Sequence, residues 1–229
     1  MSNRQIDIIC EGRTEQTFVD EVLWPYFAQK GIFVLPIILS KKGQKGGNVR
    51  FCRAINDIYC SLKKTSSPIV STFVDYYGIK DWPGKDDILP NSTPEQIANT
   101  LNQATKDVIC AEYDDLNPQN RFIPFVMVHE FEALLFSSSE VLARNLHINQ
   151  EMVDRVLLEY GSPERINNSP LTAPAKRLEL WCNGQYGKTT EGIAIAKEIG
   201  VDRMRMKCPL FDAWLLELEQ KAIAQSCLA

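Results

Sequence analysis

Apolar and polar positions follow two different periods along the first 137 residues. Helical spacing, with an apolar residue every three to four positions, predicts helices over 14–30, 49–64 and 93–113. Short apolar runs between them, rich in β-branched residues, predict strands over 6–10, 32–39, 69–74 and 122–128. Strands and helices that alternate with short connections are typical of a parallel sheet. Residues 1–137 therefore predict an α/β domain with a mainly parallel, four-stranded sheet and helices on both faces.

The pattern changes after residue 137, where strand-like runs nearly disappear. The continuing helical spacing predicts helices over 139–146, 150–160, 175–182, 188–199 and 210–220. The alternation in VDRMRMK, residues 201–207, predicts a short edge strand. We therefore predict that residues 138–229 form a helical annex packed on the α/β domain.

Composition and charge narrow the class of protein. With 229 residues, 45% of them hydrophobic, the chain is long enough for a substantial core. A net charge of −4 argues against strong nonspecific binding of duplex nucleic acid by this chain alone. The seven cysteines include no C-x-x-C pair, which is typical of reduced thiols in a cytosolic protein. The N-terminal residues lack the apolar segment of a signal peptide, and no apolar run reaches membrane-spanning length, so we expect a soluble, cytoplasmic protein.

Acidic residues follow three of the four predicted strands. They are Glu11 and Glu15 after the first strand, Asp75 and Asp81 after the third, and Glu130 and Glu132 after the fourth. Because the carboxyl ends of parallel strands meet at one edge of a sheet, we expect several of these acids to lie together. Carboxylates brought close repel one another, and their hard oxygen atoms suit Mg²⁺ or Mn²⁺. The sequence thus predicts a divalent metal site that activates water for phosphodiester hydrolysis.

Other interpretations of these acids stay open. Thr14 as the N-cap and Glu15 in the first turn would stabilise the positive end of the first helix. Glu130 and Glu132 share a face if the fourth strand continues but diverge on a helix, where they would sit at a solvated N-terminus. His129 is either a ligand, a general base or a structural histidine.

Basic and aromatic residues near the same edge are candidates for binding a substrate. The glycine-rich loop after the second strand carries Lys41, Lys42 and Lys45, which can surround a phosphate or belong to an ordinary surface loop. Its spacing is not that of a P-loop, so we do not predict a nucleoside triphosphatase. Tyr76 and Tyr77, beside Asp75, either contact a base or sugar or only order their loop.

Two motifs resemble the Toprim domain of topoisomerases, bacterial primases and the overcoming-lysogenisation-defect nucleases, and they are most similar to the nuclease branch. The motifs are CEGRTE after the first strand and FVDYYG at the end of the third. The resemblance implies a Rossmann-like sheet, with a Glu at the first strand–helix turn and an Asp-x-Asp motif that bind divalent metal. Glu11 and Asp75 match those positions, but Tyr77 replaces the second Asp. Asp81 or the Glu130/Glu132 pair then supplies the missing ligand, the site holds one metal, or the fold is an inactive descendant.

Longer phrases resemble, more narrowly, a bacterial Toprim-like family of unknown function whose members are often encoded beside an AAA-type ATPase. They are FVDYYGIKDWPG, VHEFEALLF, APAKRLE and KCPLFDAWL. This resemblance implies a partner ATPase and a role in phage defence or repair. It also makes Lys176, Arg177 and Lys188 candidate catalytic cations that complement a metal-held phosphate. Ordinary exposed helix charge is the alternative for these three residues.

These observations predict a Mg²⁺- or Mn²⁺-dependent phosphodiesterase, a nuclease that acts with a partner ATPase. Glu11 would be a ligand or general base, and Asp75 would hold the metal. The alternative is a catalytically silent Toprim-like module that binds and regulates the ATPase, which the tyrosine at position 77 favours. Nucleotidyl transfer, as in primases, lacks a nucleotide-binding signature here. Nucleic acid is the expected partner, and the sequence is compatible with an oligomer.

Overall fold

A computed structural model describes residues 4–39, 50–128, 130–166 and 172–226. Its sheet is parallel and runs in the order β2-β1-β3-β4, with β5 also paired to β3. The strands are β1 (Gln5–Cys10), β2 (Phe33–Ile38), β3 (Ile69–Asp75), β4 (Phe122–Ile123) and β5 (Val126–Met127). The predicted α/β fold with a parallel sheet is confirmed.

The fourth predicted strand is divided into β4 and β5 around Pro124. Proline has no N–H for the strand ladder, so pairing to β3 stops there. The Thr72 side chain bridges the gap. Its Oγ1 accepts a hydrogen bond from Phe125 N at 2.9 Å and donates to Phe125 O at 3.0 Å. The chain therefore stays in line along β3, and β5 ends beside Asp75, which pairs with Met127.

The predicted helical regions of the first half contain α1 (Arg13–Phe18), α2 (Trp24–Ala28), α3 (Phe51–Leu62) and α4 (Pro94–Glu112). The short helix α5 (Pro118–Arg121) lies outside the predicted regions. A π-helical segment, Val19–Leu23, joins α1 to α2, and Pro25, which has no N–H to donate, is the second residue of α2. The predicted cap of α4 is confirmed, since Thr93 N donates to Gln96 Oε1 at 2.8 Å and Gln96 N to Thr93 Oγ1 at 3.3 Å.

The annex is helical, as predicted. Its helices are α6 (Ser139–Leu146), α7 (Gln150–Tyr160), α8 (Pro174–Trp181), α9 (Ile193–Ile199), α10 (Val201–Lys207) and α11 (Pro209–Ser226). The predicted edge strand over 201–207 is wrong, because this segment forms α10. Its fully or nearly buried residues are Val201 and Met204, three positions apart, which is the spacing of a helix face. Within the described residues, no helix has both the length and the apolar character that crossing a bilayer requires.

Two apolar clusters cover the two faces of the sheet. On one face, α3 and α4 pack through residues such as Ile58 and Leu101. On the other, α11 crosses the sheet, and its Trp214 ring stacks on Phe125 with centroids 4.3 Å apart. Trp214 Nε1 also donates to Ser71 Oγ at 2.9 Å. The second cluster contains residues from β1 to α11, so the annex and the sheet share one hydrophobic core, while the boundary at residue 137 stays a prediction.

Candidate functional site

Glu11 and Asp75 lie side by side where β1 and β3 end. Glu11 N donates to Phe73 O at 3.2 Å, which continues the β1–β3 pairing by one residue. The Glu11 carboxylate then reaches across to β3, where Oε2 accepts a hydrogen bond from Asp75 N at 3.1 Å. The structure therefore brings together the two residues on which the predicted site depends. We call this region, with its neighbouring acids Glu15 and Glu132, the carboxyl edge.

Gly78 makes room for the Glu11 carboxylate. A Cβ atom at position 78 would lie 2.3 Å from each carboxylate oxygen of Glu11, which is far inside van der Waals contact. Gly78 N donates to Asp75 O at 3.0 Å and closes the turn that follows β3. Our sequence analysis did not single out this glycine, although it ends the FVDYYG motif.

Glu15 is buried at the start of α1, 6% exposed. Its Oε2 accepts a hydrogen bond from Gly12 N at 2.9 Å, so it does stabilise the helix N-terminus, as the capping interpretation predicts. The prediction that Thr14 is the N-cap is wrong, because Gly12 occupies that position. Thr14 Oγ1 instead lies 3.3 Å from Thr189 Oγ1 and so connects α1 to the segment that carries Lys188.

The Asp75 carboxyl group is buried among like charges. Its Oδ1 is buried and has no hydrogen-bond partner among the described residues. Burial raises the pKa of Asp75 well above its ordinary value, and the charges of Glu15, Glu11 and Glu132 raise it further. The positive charge of Lys188 opposes this shift. An ionised Asp75 at this position therefore requires positive charge nearby.

Lys188 supplies positive charge at the carboxyl edge. Its Nζ lies 3.0 Å from Oε1 of Glu132, which is 1% exposed in the 3₁₀ helix Phe131–Ser137. Burial raises the pKa of Glu132, and Lys188 lowers it. Burial favours the neutral form of Lys188, but the carboxylates of Glu132, Glu130 and Asp75 raise its pKa overall. Lys188 is therefore a cation at neutral pH, held by Glu132 and facing Asp75.

Glu130 and Glu132 point to different partners because the chain turns into the 3₁₀ helix at Phe131. Glu130 Oε2 accepts a hydrogen bond from Ala175 N at 3.0 Å and so stabilises the N-terminus of α8. Its charge also reaches Tyr77, whose pKa is raised by burial first and by Glu130 second. The strand on which the two acids would share a face is not formed, which supports the helix-terminus interpretation for Glu130.

Three other predicted site residues make contacts away from the carboxyl edge. Asp81 Oδ1 accepts from Phe51 N at 3.0 Å at the start of α3, and Asp81 is not among the charges that shift the Asp75 pKa. Lys176 pairs with Glu179 one turn along α8, at 2.6 Å. Arg177 donates from Nε to Thr172 O at 2.8 Å and from Nη2 to Tyr160 OH at 3.3 Å. The predicted roles of these residues in metal binding and catalysis stay predictions.

Predicted residues Lys41, Lys42 and Lys45 of the glycine-rich loop lie outside the described residues, as does His129.

A residue that the sequence analysis missed is Tyr186. Its hydroxyl is buried without a hydrogen-bond partner among the described residues, and burial followed by the charge of Glu132 raises its pKa. Gly192 makes room for it, since a Cβ there would lie 2.6 Å from the hydroxyl oxygen.

The donor atoms at the carboxyl edge fit a hard divalent cation in chemistry and charge. They are carboxylate oxygens of Glu11, Glu15 and Asp75, and Asp75 Oδ1 is buried without a hydrogen-bond partner in the described part of the chain. In the conformation described, however, no three Asp, Glu, His or Cys side chains within 4–39, 50–128, 130–166 and 172–226 form a group spaced to hold one ion. Binding would therefore require some rearrangement of these side chains.

A comparison with family models matches residues 10–219 to a family described as "Domain of unknown function (DUF4276)". The chain belongs to the DUF4276 family. The match begins at the last residue of β1 and includes the other four strands and nearly all of the annex, so the family unit extends over both parts of the chain. The prediction of a family without an assigned activity is thereby confirmed, while the relationship to Toprim domains stays a resemblance.

No curated protein matches this DUF4276 chain. Among solved structures, it is similar to the C-terminal region of the OLD protein from Xanthomonas campestris pv. campestris, in crystals phased with mercury, iodine and platinum. The identities are 14%, 18% and 14%, with TM-scores of 0.42, 0.42 and 0.45. The alignments cover 98% of this chain and 98%, 98% and 96% of the others.

Proposed function

We propose that this DUF4276 protein is a Mg²⁺- or Mn²⁺-dependent phosphodiesterase that cleaves nucleic acid. The observation that supports this most directly is the hydrogen bond from Asp75 N to Glu11 Oε2, which joins the ends of two strands and brings the Glu11 carboxylate to Asp75. The buried Asp75 oxygen and the charges around it favour a cation at this position.

Glu11, Asp75 and Glu15 would hold the cation, because the charges of Glu11 and Glu15 act on Asp75. The charge of Glu132 acts there too, but Glu132 is paired with Lys188. A bound divalent ion supplies two things there: a water molecule of lowered pKa and positive charge for the phosphate oxygens. Glu11, which is only partly buried, acts as a ligand or as the base that removes a proton from the attacking water. Gly78 keeps Glu11 in place for either role.

Lys188 stabilises the negative charge that develops on the phosphate. Its side chain is 42% exposed, so it can contact a substrate while it stays paired with the buried Glu132. A cation fixed in advance at the point where charge develops lowers the barrier without reorganising during the reaction. Glu132 is therefore a positioning residue in this mechanism, and Lys188 is the group that contacts the phosphate.

A partner ATPase fits the acidic character of the chain. With a net charge of −4, the protein has little general attraction for nucleic acid, and a separate subunit that grips the strand would supply it. We propose an AAA-type ATPase in this role, on the basis of the family resemblance.

The cleavage experiment uses the purified protein with Mn²⁺ and single-stranded DNA, duplex DNA and RNA, with and without the ATPase. We expect cleavage by the wild type, none by Glu11→Gln or Asp75→Asn, and a loss of about a hundredfold in Lys188→Met. Asp107→Asn, an exposed acid on α4, is the matched control and should cleave like the wild type. Cleavage that survives in Asp75→Asn would contradict the proposed site.

A second candidate function is a silent module that regulates the ATPase. The tyrosine at position 77 and the lack of a compact three-ligand group among the described residues favour it. This candidate predicts no Mn²⁺ binding by calorimetry, no cleavage under any condition, and a change in ATP hydrolysis by the partner that Asp75→Asn does not abolish. The nuclease proposal predicts the opposite result in the first two measurements.

A further inference from the structure

A cleft of about 620 Å³ opens beside the carboxyl edge, on the other side of the end of β3. Its walls come from three parts of the chain: Tyr76 after β3, residues 88–92 before α4 with Pro94 and Ile97 in its first turn, and Tyr160 with Arg165 from the annex. Its volume falls in the range of sites that bind small molecules or single groups of a polymer. None of the predicted functions accounts for the contribution of the annex to this cleft.

The chemistry of the cleft suits a flat, apolar ring with polar edges. Tyr76 and Tyr160 present aromatic surfaces, and Pro90 and Pro94 add apolar walls. Arg177 lies over the Tyr160 ring, 5.5 Å from its centroid, and its Nη2 donates to the Tyr160 hydroxyl at 3.3 Å, which restrains the ring. Asn91 and Ser92 add polar groups that can meet the hydrogen-bonding edge of a base. Nucleobases bind sites of this kind by stacking on aromatic side chains.

Positive charge surrounds the aromatic walls. Lys85 Nζ lies 6.0 Å from the centroid of the Tyr76 ring, and the Arg165 side chain at the rim is 55% exposed. Arg165 pairs with Glu95 at 3.0 Å, but both side chains are about half exposed, so this ion pair is weak and can exchange for a phosphate. The N-terminus of the 19-residue helix α4 also faces the cleft through Pro94.

Two consecutive residues belong to the two sites: Asp75 lies at the carboxyl edge, and Tyr76 lines the cleft. Side chains alternate along β3, so Asp75 points with Phe73 towards the annex face and Tyr76 packs with Val74 on the opposite face. A strand that crosses the end of β3 would therefore meet the carboxylates with its phosphate and the cleft with a neighbouring base. A base within a duplex is covered by its neighbours on both sides and cannot enter such a cleft.

We propose that this cleft binds an unpaired base of a single-stranded nucleic acid and thereby directs the adjacent phosphate to the carboxyl edge. The inference rests on the proposed function in one respect, which is that the adjacent phosphate is the group to be cleaved. Binding of the base itself requires neither metal nor cleavage. Tyr76 supplies the principal stacking surface, Tyr160 the second wall, and Arg165 the contact to the backbone that enters the cleft.

The experiment measures binding by fluorescence anisotropy, at low salt, in EDTA and again in Ca²⁺. The probes are a labelled thymidine oligonucleotide, a uridine oligonucleotide, an abasic strand of the same length and a duplex. We expect Tyr76→Leu, which keeps apolar bulk but removes the ring, to raise the Kd for the base-bearing single strands about tenfold. Tyr76→Phe should bind like the wild type, and so should Tyr113→Leu, which changes a partly buried tyrosine at the other end of α4.

Binding of the abasic strand and of the duplex should be unchanged in Tyr76→Leu. A second variant, Leu89→Glu, places a carboxylate at a cleft residue that is 73% exposed and should weaken single-strand binding without disturbing the core. Equal losses for base-bearing and abasic strands, wild-type affinity in Tyr76→Leu, or no preference of the wild type for bases would overturn the inference. The nuclease proposal fails on different results. In that case either Asp75→Asn still cleaves, or neither the wild type nor any variant cleaves, while base binding persists.

Discussion

Gly78 shows how a single residue positions a group from a distant part of the chain. Nothing in its backbone requires glycine through a positive φ angle. The requirement comes from the Glu11 carboxylate, which occupies the space that a side chain would fill. The hydrogen bond from Asp75 N depends on this carboxylate. A substitution at position 78 therefore acts on the proposed metal site without replacing an acidic residue.

We expect Gly78→Ala to lower cleavage strongly and stability only modestly. The added methyl group displaces the end of a flexible side chain rather than backbone, so the cost is mainly one hydrogen bond to a charged group, about 1.5–3 kcal/mol. Mn²⁺-dependent cleavage and urea denaturation measure the two effects. In a Glu11→Ala background the alanine at position 78 meets no carboxylate, so its effect on stability should disappear, and an unchanged effect there would refute the explanation.

At the scale of elements, a buried acid in the connection between α7 and α8 links that connection to α11. Glu164 is 4% exposed, and its two carboxylate oxygens accept hydrogen bonds from Leu210 N at 3.0 Å and Phe211 N at 2.9 Å. These groups are among the N–H donors that the start of a helix leaves without partners inside the helix. Burial nevertheless raises the pKa of Glu164 from 4.5 to about 7, and the two backbone hydrogen bonds only reduce this shift.

This shift predicts that stability depends on pH near neutrality. A folded-state pKa above the unfolded value means that the native protein binds the proton more tightly, so stability falls as pH rises from about 4.5 to about 7. The full effect of Glu164 is up to about 3 kcal/mol, because each pKa unit corresponds to about 1.4 kcal/mol. Guanidinium denaturation at several pH values, compared between wild type and Glu164→Gln, isolates this contribution from that of other acids.

Glu164→Gln cannot ionise, so the slope between pH 4.5 and pH 7 should be shallower in this variant than in the wild type. Glu159→Gln, which changes an exposed acid on α7, is the matched control and should leave the slope unchanged. Parallel curves for wild type and Glu164→Gln would contradict the shifted pKa.

At the scale of the whole molecule, the annex completes the core of the sheet. Trp214 of α11 stacks on Phe125 and donates a hydrogen bond to Ser71 of the central strand β3. Phe73 also contacts its ring, with centroids 5.4 Å apart. The sheet face that α11 covers is therefore not a surface of an independent domain, and the two parts should unfold together.

Truncation of Trp214 tests this coupling. We expect Trp214→Ala to destabilise the whole protein by about 3–5 kcal/mol, since it leaves a large cavity and removes the hydrogen bond to Ser71. Leu216→Ala, on the same helix but 43% exposed, should cost much less. Thermal unfolding followed both by circular dichroism and by tryptophan fluorescence should show one transition in each variant. Two separate transitions would mean that the annex and the sheet are independent units.

Local sequence patterns predicted most of the fold because the elements are long and strongly periodic. The helices α6 and α7 begin and end where the spacing predicts, and the alternation of strands and helices predicts the parallel sheet. The pattern failed at α10, where apolar and polar residues alternate in the sequence but the buried residues are three positions apart. It also failed to divide the last strand at Pro124, although the missing N–H of that proline can be seen in the sequence. Only the structure shows how the Thr72 side chain of another strand bridges the break.

The sequence by itself determined that acids follow the strands and that Glu11 and Asp75 should meet, because parallel strands bring their carboxyl ends to one edge. Only the tertiary structure decided which acids belong there. It joined Glu132 to Lys188 and directed Glu130 and Asp81 to helix N-termini, since the partners of these acids come from remote elements. It also built the cleft from Tyr76 and the annex. Burial and the distances between remote residues set these roles, and neither can be predicted from the local sequence.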